Sequence, residues 1–116
     1  MQIVIIANGE SLSSAVDLGA ERAAAIEPPA TLAATSARVI FYGSLDGSNY
    51  EIIEDEDSTR FAVTVGTTNA TVHPLPPTTF YPFRWIKIQV TTSDEDTAVA
   101  QDAAKTFLIG TARFTG

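Results

Sequence analysis

RVIFYGSLDGSNY (residues 38–50) and FYPFRWIKIQV (residues 80–90) are the two stretches that decide the fold of this chain. In the second stretch Ile86, Ile88 and Val90 alternate with larger or polar residues, which is the pattern of a β-strand with one buried face. In the first stretch a similar strand runs into SLDGSN, whose Asp, Gly and Asn residues favour a tight chain reversal. The two stretches therefore predict antiparallel strands joined by tight turns.

The rest of the chain repeats this arrangement, because clusters of turn-forming residues recur at a spacing of about ten residues. We predict strands at residues 2–7, 14–18, 22–27, 37–43, 50–54, 60–65, 70–74, 84–91 and 104–113. This spacing is typical of an antiparallel β-sandwich of jelly-roll type. No internal repeat or linker divides the chain, so residues 1–116 are predicted to form a single domain. Composition alone favours a helix in only one place, GAERAAAI at residues 19–26.

The overall charge and the lack of cysteine exclude several classes of function. The 116 residues include 14 acidic and 7 basic side chains, for a formal net charge of −7, and no cysteine. Phosphate backbones and anionic lipid surfaces attract cationic proteins, so we predict neither a nucleic-acid partner nor a membrane partner. Without cysteine there are no disulfides, thiolate metal sites or cysteine nucleophiles, which suits assembly in a reducing cytoplasm.

The candidate chemical groups do not combine into a recognisable catalytic site. His73 is the only histidine, and no nucleophile motif accompanies it. The carboxylate runs at residues 54–57 and 94–96 could bind a hard cation such as calcium, or could be solvated turns that discourage edge pairing. The stretch that starts at Asp46 lacks the EF-hand pattern, because Glu51 stands at its glycine position. We predict no catalytic residue, no metal site and no cofactor.

An outward-facing aromatic cluster is the first candidate interaction surface. The alternation that buries Ile86 and Ile88 places Trp85 and Lys87 on the opposite face of the strand. The preceding residues include Phe80, Tyr81 and Phe83, which we expect to form an aromatic belt with Trp85. An outward Trp is either covered by a loop, here residues 74–82, or used at a protein interface, or used to stack on a sugar.

The first predicted strand is the second candidate surface, because residues 3–6 are apolar on both faces of the strand. Either both sides are packed inside the domain, or one side meets another subunit. This pattern favours an oligomer or a docked subunit. The predicted interface residues from the two surfaces together are Ile3, Ile5, Tyr81, Phe83, Trp85 and Lys87.

Short motifs connect the chain to known families. The S-x-D-G turn at residues 44–47 and the strand RWIKI at residues 84–88 resemble discoidin-like and galactose-binding-like sandwiches. More closely, IANGESLSSAVDLG at residues 6–19, followed by P-A, S-x-D-G and R-x-I-K-I, is similar to short virion proteins of tailed phages. That resemblance implies that residues 22–27 form a strand. In the discoidin-like modules S-x-D-G marks the fold, so no ligand role passes to Asp46.

The phage resemblance implies a non-enzymatic capsid decoration or cement protein that binds the assembled head. Its partner would be the major capsid protein or another virion protein. It would act as a homo-oligomer, with a trimer favoured, on the capsid surface after assembly in the host cytoplasm. The alternatives are a neck, tail or fibre-base component, or a carbohydrate-binding module in which Trp85 and Tyr81 stack on a glycan. A small hydrolase is a third alternative, because carboxylates are plentiful.

Overall fold

The structure is a computed structural model that describes residues 1–30, 32, 37–65, 71–92 and 97–113. Within these residues the chain forms nine strands and one short helix. In chain order they are β1 (Gln2–Ile6), β2 (Val16–Asp17), β3 (Glu21–Glu27), β4 (Arg38–Ser44), β5 (Glu51–Ile52), β6 (Ala62–Thr64), β7 (His73–Pro74), α1 (Pro77–Phe80), β8 (Trp85–Thr91) and β9 (Lys105–Arg113). Each described strand lies where the sequence predicts one, although β2, β5, β6 and β7 are shorter than predicted.

The strands form two antiparallel sheets that pack face to face. The first sheet has the order β1-β9-β3-β7 and the second has the order β2-β8-β4-β5, with β6 also paired to β4. Strands β1, β3, β7 and β9 belong to the first sheet, and β2, β4, β5, β6 and β8 to the second, so the chain crosses between the sheets at every step except from β4 to β5 and from β5 to β6. This is the connectivity of a jelly roll, which confirms the predicted fold class.

The core lies between the sheets and is built from the faces that the alternation predicts. On β8, Ile86, Ile88 and Val90 are all fully buried, as are Phe107 and Ile109 on β9. Each such side chain contributes about 1.5–3 kcal/mol when it leaves water. Burial of the alternate residues from both sheets therefore fixes which face of each strand points inward.

Three phenylalanines form the aromatic centre of this core. Phe41, Phe61 and Phe80 lie with ring centroids 5.0 to 5.7 Å apart, and two of the three pairs are edge to face. Phe80 is fully buried, so its predicted place in an outward aromatic belt is wrong.

The reason for this correction is the helix α1, which the sequence analysis did not predict. Pro76 caps the helix in an extended conformation and Pro77 begins it, because a proline fits the first turn, where its missing N–H is not needed. The N–H of Tyr81 donates to the carbonyl of Pro77 at 2.8 Å. One helical turn lies where the sequence analysis placed a loop, at residues 74–82, and it directs Phe80 inward.

The segment with the helix-favouring composition forms β3, as the phage resemblance implied. Its buried residues, Ala23 and Ile26, are three positions apart, a spacing that a regular strand would not give. The pairing with β9 shifts register between Ala23 and Ala25, so a bulge changes which face the following residues occupy. The bulge explains the three-residue spacing of the buried positions in this strand.

Several predicted features lie outside the described residues. These are the acidic run at 94–96, the turn residues 66–69 and the first residue of the strand predicted at 70–74. In the part of the chain that is described, no helix has the length and apolar character needed to cross a membrane.

Candidate interaction surface

The two stretches that decide the fold meet in the structure. Ser44, at the end of β4, pairs with Trp85, at the start of β8. The turn that follows brings Gly47 over the indole, where an added Cβ atom would lie 3.1 Å from the Cε2 atom of Trp85. Gly47 has a φ of 81°, which glycine adopts at little cost. A side chain at this position would therefore meet both backbone strain and the ring.

Asp46 organises this turn. Its Oδ1 atom accepts hydrogen bonds from the backbone N–H groups of Ser48 (2.8 Å) and Asn49 (2.9 Å), and the Ser44 hydroxyl also donates to it. The N–H of Asn49 is the largest of the influences that hold the pKa of Asp46 far below its usual range. Because these bonds all lie within the turn, the role of Asp46 is to hold the reversal.

Trp85 is half-buried, and its indole is covered in part by Arg84 as well as by Gly47. The guanidinium carbon of Arg84 lies 4.6 Å from the ring centroid. Asp17 accepts hydrogen bonds from Arg84 at 2.7 and 3.1 Å, which holds the guanidinium in place, lowers the pKa of Asp17 and raises that of Arg84. The indole is thus covered by the 44–49 turn and a neighbouring side chain, whereas the sequence analysis named residues 74–82 as the possible covering loop.

The remaining side chains on the outer face of the second sheet also bond to one another. The Tyr42 hydroxyl donates to Oε1 of Gln89 at 3.0 Å, and Nε2 of Gln89 donates to the hydroxyl of Ser11 at 3.2 Å. The Lys87 ammonium lies 4.4 Å from the ring centroid of Tyr50. Burial raises the pKa of Tyr50, and the charges of two aspartates add to this effect. These contacts form a polar network within the chain on this face.

Tyr81 and Phe83 link α1 to β8, and both are half-buried. The carbonyl of Tyr81 accepts a 2.8 Å hydrogen bond from Nε of Arg22, which ties this connection to β3 of the first sheet. The ring of Phe83 lies directly against Gly43. A hollow of about 270 Å³ lies beside the ring, and its other lining residues are Gly43, Leu45, Asp46, Asn49 and Glu51.

The outer face of the first sheet has a different character, because it exposes apolar side chains. Ile3 is 59% exposed, Ile5 48% and Met1 74%, whereas their neighbours Val4 and Ile6 are in the core. Each outward residue of β1 lies beside an outward residue of β9, which in turn lies beside β3. We define the outer face of the first sheet by Met1, Ile3, Ile5, Ala25, Glu27, Val72, Leu108 and Gly110.

This face is nearly free of charge and has a hollow of about 150 Å³ above its small residues Ala25 and Gly110. Glu27 is the one charged residue among those that define it, in a chain with a formal net charge of −7. Contiguous exposed apolar patches, unlike single exposed apolar residues, often mark contact sites. The outer face of the first sheet is therefore the surface best suited to bind a partner.

The structure divides the six predicted interface residues between separate surfaces. Ile3 and Ile5 lie on the first sheet, whereas Trp85 and Lys87 belong to the second, with Tyr81 and Phe83 in the connection before β8. The sequence analysis did not identify Leu108, which lies beside Ile3. The signal was present, because residues 107–109 are apolar on both faces of β9, as residues 3–6 are on β1.

The acidic run at residues 54–57 forms a turn with internal hydrogen bonds. Oδ1 of Asp55 accepts from the N–H groups of Asp57 (2.9 Å) and Thr59 (3.1 Å), and Glu56 accepts from the hydroxyl of Thr78 at 2.7 Å. Among the described residues, no three histidines or carboxylates are grouped so as to hold a metal ion. The sole histidine, His73, lies in β7 as predicted.

No protein-family model matches the sequence, and no curated protein matches it either.

Proposed function

We propose that this protein is a non-enzymatic structural protein of a tailed-phage virion, and that it decorates the capsid and stabilises the assembled head. The observation that carries the proposal is the exposed, nearly uncharged outer face of the first sheet, which suits contact with another protein. The likeness of residues 6–19, 44–47 and 84–88 to virion proteins supplies the biological setting. The partner would be the major capsid protein or another virion protein.

Stabilisation by such a subunit follows from mass action. A protein that binds the assembled shell and not the free capsid subunits shifts the equilibrium toward the shell by RT ln(1 + [L]/Kd). In this arrangement the first sheet faces the capsid, and the second sheet, with its polar network, faces solvent. The formal charge of −7 reduces association with the packaged nucleic acid and with anionic surfaces.

The test is binding to purified phage heads that lack the protein. Wild-type protein is expected to co-sediment with the heads in a saturable manner, to raise the temperature at which they rupture, and to give density on the outer surface in cryo-electron microscopy. Leu108→Lys places a charge in the outer face of the first sheet and is expected to weaken binding at least about tenfold, or about 1.4 kcal/mol.

Leu45→Lys is the matched control, because Leu45 is 74% exposed in the turn of the second sheet. It is expected to bind as wild type does. Wild-type protein that does not bind heads, or density at the neck or tail, would contradict the decoration role. Equal binding by wild type and Leu108→Lys would show that another surface makes the contact.

A carbohydrate-binding module is the second candidate, favoured by the hollow beside Phe83. An aromatic ring beside carboxylate and amide side chains is a common arrangement for holding a sugar ring. Saturable binding on a glycan array that is lost in Phe83→Ala or Trp85→Ala, with the fold intact, would establish this function. Unchanged binding in both variants, or none by the wild type, would remove it.

A further inference from the structure

Strand β1 has an open edge. It is the outermost strand of the first sheet and, in the described part of the chain, its ladder partner is β9 alone. Five consecutive residues, from Gln2 to Ile6, pair in register with no bulge. One row of backbone N–H and C=O groups therefore points away from the sheet, and a second β-strand can pair with that row.

This edge lacks the features with which proteins usually protect an outer strand, namely charge, proline, a bulge or short length. The other outer strands of the described chain have them. The first sheet ends on its far side in β7, which has two residues and includes Pro74. In the second sheet, β2 and β5 have two residues each and include Asp17 and Glu51, respectively, and β6, which pairs with β4, has only three residues. The sequence QIVII of β1 contains neither a charge nor a proline.

We propose that two copies of this chain associate through β1, with the strands antiparallel about a two-fold axis. The register centred on Val4 places Ile3 of each copy opposite Ile5 of the other and Gln2 opposite Ile6. This register keeps inward residues beside inward residues, because side chains alternate with a period of two. The half-exposed Ile3 and Ile5 become cross-strand apolar pairs, and the two first sheets join into one eight-stranded sheet.

Charge favours a second copy at β1 over the edges formed by β2 and β5. Each copy has a formal net charge of −7, so like charges oppose most approaches. Approach through β2 or β5 would bring Asp17 or Glu51 of one copy toward the same residue of the other. At β1 the paired residues are uncharged, so that backbone hydrogen bonds and apolar contact act without a local repulsion.

The pairing is expected to be weak and concentration-dependent. Five residues per copy form a small interface, and interfaces below about 1,200 Å² belong to transient complexes. A dissociation constant on the order of micromolar is expected. The association concerns free protein in solution and does not rest on the proposed capsid function. The trimer implied by the phage resemblance needs a different contact, because a two-fold pairing closes at two copies.

Sedimentation velocity on the wild-type protein, from about 1 to about 300 µM, brackets this range of affinity. The expected result is a monomer–dimer equilibrium. Ile3→Lys and Ile5→Glu are each expected to raise the dissociation constant at least about 100-fold, since each places an unmatched charge at the centre of the pairing. Val72→Lys, on the same face but next to β7 at the opposite edge of the sheet, is the matched control and is expected to dimerise as the wild type does.

The double variant Ile3→Lys/Ile5→Glu tests the register. In the register centred on Val4, the introduced lysine of each copy faces the introduced glutamate of the other, so dimerisation is expected to recover relative to either single variant. In a register centred on Ile5, two glutamates would face each other and dimerisation would stay lost, which would overturn the proposed register.

Amide hydrogen exchange provides a measurement that needs no variant. Exchange within residues 2–6 is expected to slow as the concentration rises through the dissociation constant, because the outward N–H groups become bonded, while the edge strand β5 exchanges at an unchanged rate. A wild-type protein that stays monomeric at about 300 µM or forms trimers would overturn the proposal. So would single variants that dimerise normally, or Val72→Lys if it were as damaging as Ile3→Lys.

Discussion

Gly43 in the central strand β4 offers the sharpest test of the packing, because it leaves no room for a methyl group. A Cβ atom at this position would lie 2.5, 2.6 and 2.9 Å from three atoms of the Phe83 ring. Ordinary van der Waals contact begins at 3.4 Å, so Gly43→Ala requires the ring to retreat by about 0.9 Å. The backbone of Gly43 needs no left-handed conformation, and the ring is therefore the source of the expected penalty.

The expected loss follows from the cost of overpacking. Extra methyl or methylene groups forced into packed sites cost about 1–3 kcal/mol. Because the half-buried ring of Phe83 can move partly toward solvent, Gly43→Ala is expected to lower the free energy of unfolding by about 2 kcal/mol. In a Phe83→Ala background the obstacle is gone. Alanine is favoured over glycine in a strand by about 0.5–1 kcal/mol, so the same substitution is then expected to stabilise the protein slightly.

The assay is urea unfolding of the wild type, both single variants and the double variant, followed by far-ultraviolet circular dichroism. A coupling of about 2.5 kcal/mol between Gly43 and Phe83 is expected from the cycle. Gly110→Ala is the matched glycine control, because its Cβ atom would lie 3.4 Å from the Cβ atom of Ala25, an ordinary contact. If Gly43→Ala costs the same in both backgrounds, the ring is not the obstacle and the reasoning fails.

Two further predictions concern the core and the response to acid. Phe80→Ala removes a fully buried ring and is expected to cost about 3–5 kcal/mol in urea unfolding, whereas a cost below about 1 kcal/mol would contradict the inward helix. The pKa of Asp46 is lower in the folded protein than in the unfolded chain, so the unfolded chain takes up this proton first as the pH falls. The stability that the Asp46 carboxylate contributes above about pH 4 is therefore expected to be lost as the pH drops further. Melting temperatures between pH 6 and about pH 3 should therefore decline less steeply in Asp46→Asn than in the wild type, while Asp57→Asn serves as the comparison in a different turn. Equal slopes in the wild type and Asp46→Asn would contradict this assignment.

The strands and the sandwich could be predicted from the sequence because alternation is a local property. The fully buried face of β8 follows from the order of its own residues, whatever packs on it. The turn around Asp46 follows likewise, since its hydrogen bonds join residues at most three positions apart. The proposed function does not follow from such local patterns. Its support in the sequence is the resemblance to virion proteins.

The candidate surface was predicted in part. The apolar pattern on both faces of β1 left two alternatives, packing of both sides inside the domain or contact with another subunit. The exposure of Ile3 and Ile5 shows that one side is not packed within the described chain, and the subunit contact stays a prediction. The aromatic belt was wrong at Phe80, because two prolines begin a helical turn that alternation does not reveal. Leu108 was missed because its membership in the surface depends on the pairing of β9 with β1, nearly the full chain length apart.

The sequence by itself thus determined the strands, the tight turn and the faces that enter the core, because these depend on neighbours along the chain. The tertiary structure alone decided what covers each outward face. It placed Gly47 and Arg84 against Trp85, and it left Ile3, Ile5 and Leu108 together on one open sheet. The physical reason is that period-2 alternation distinguishes two faces of a strand, whereas contacts between distant segments determine which face remains available to a partner.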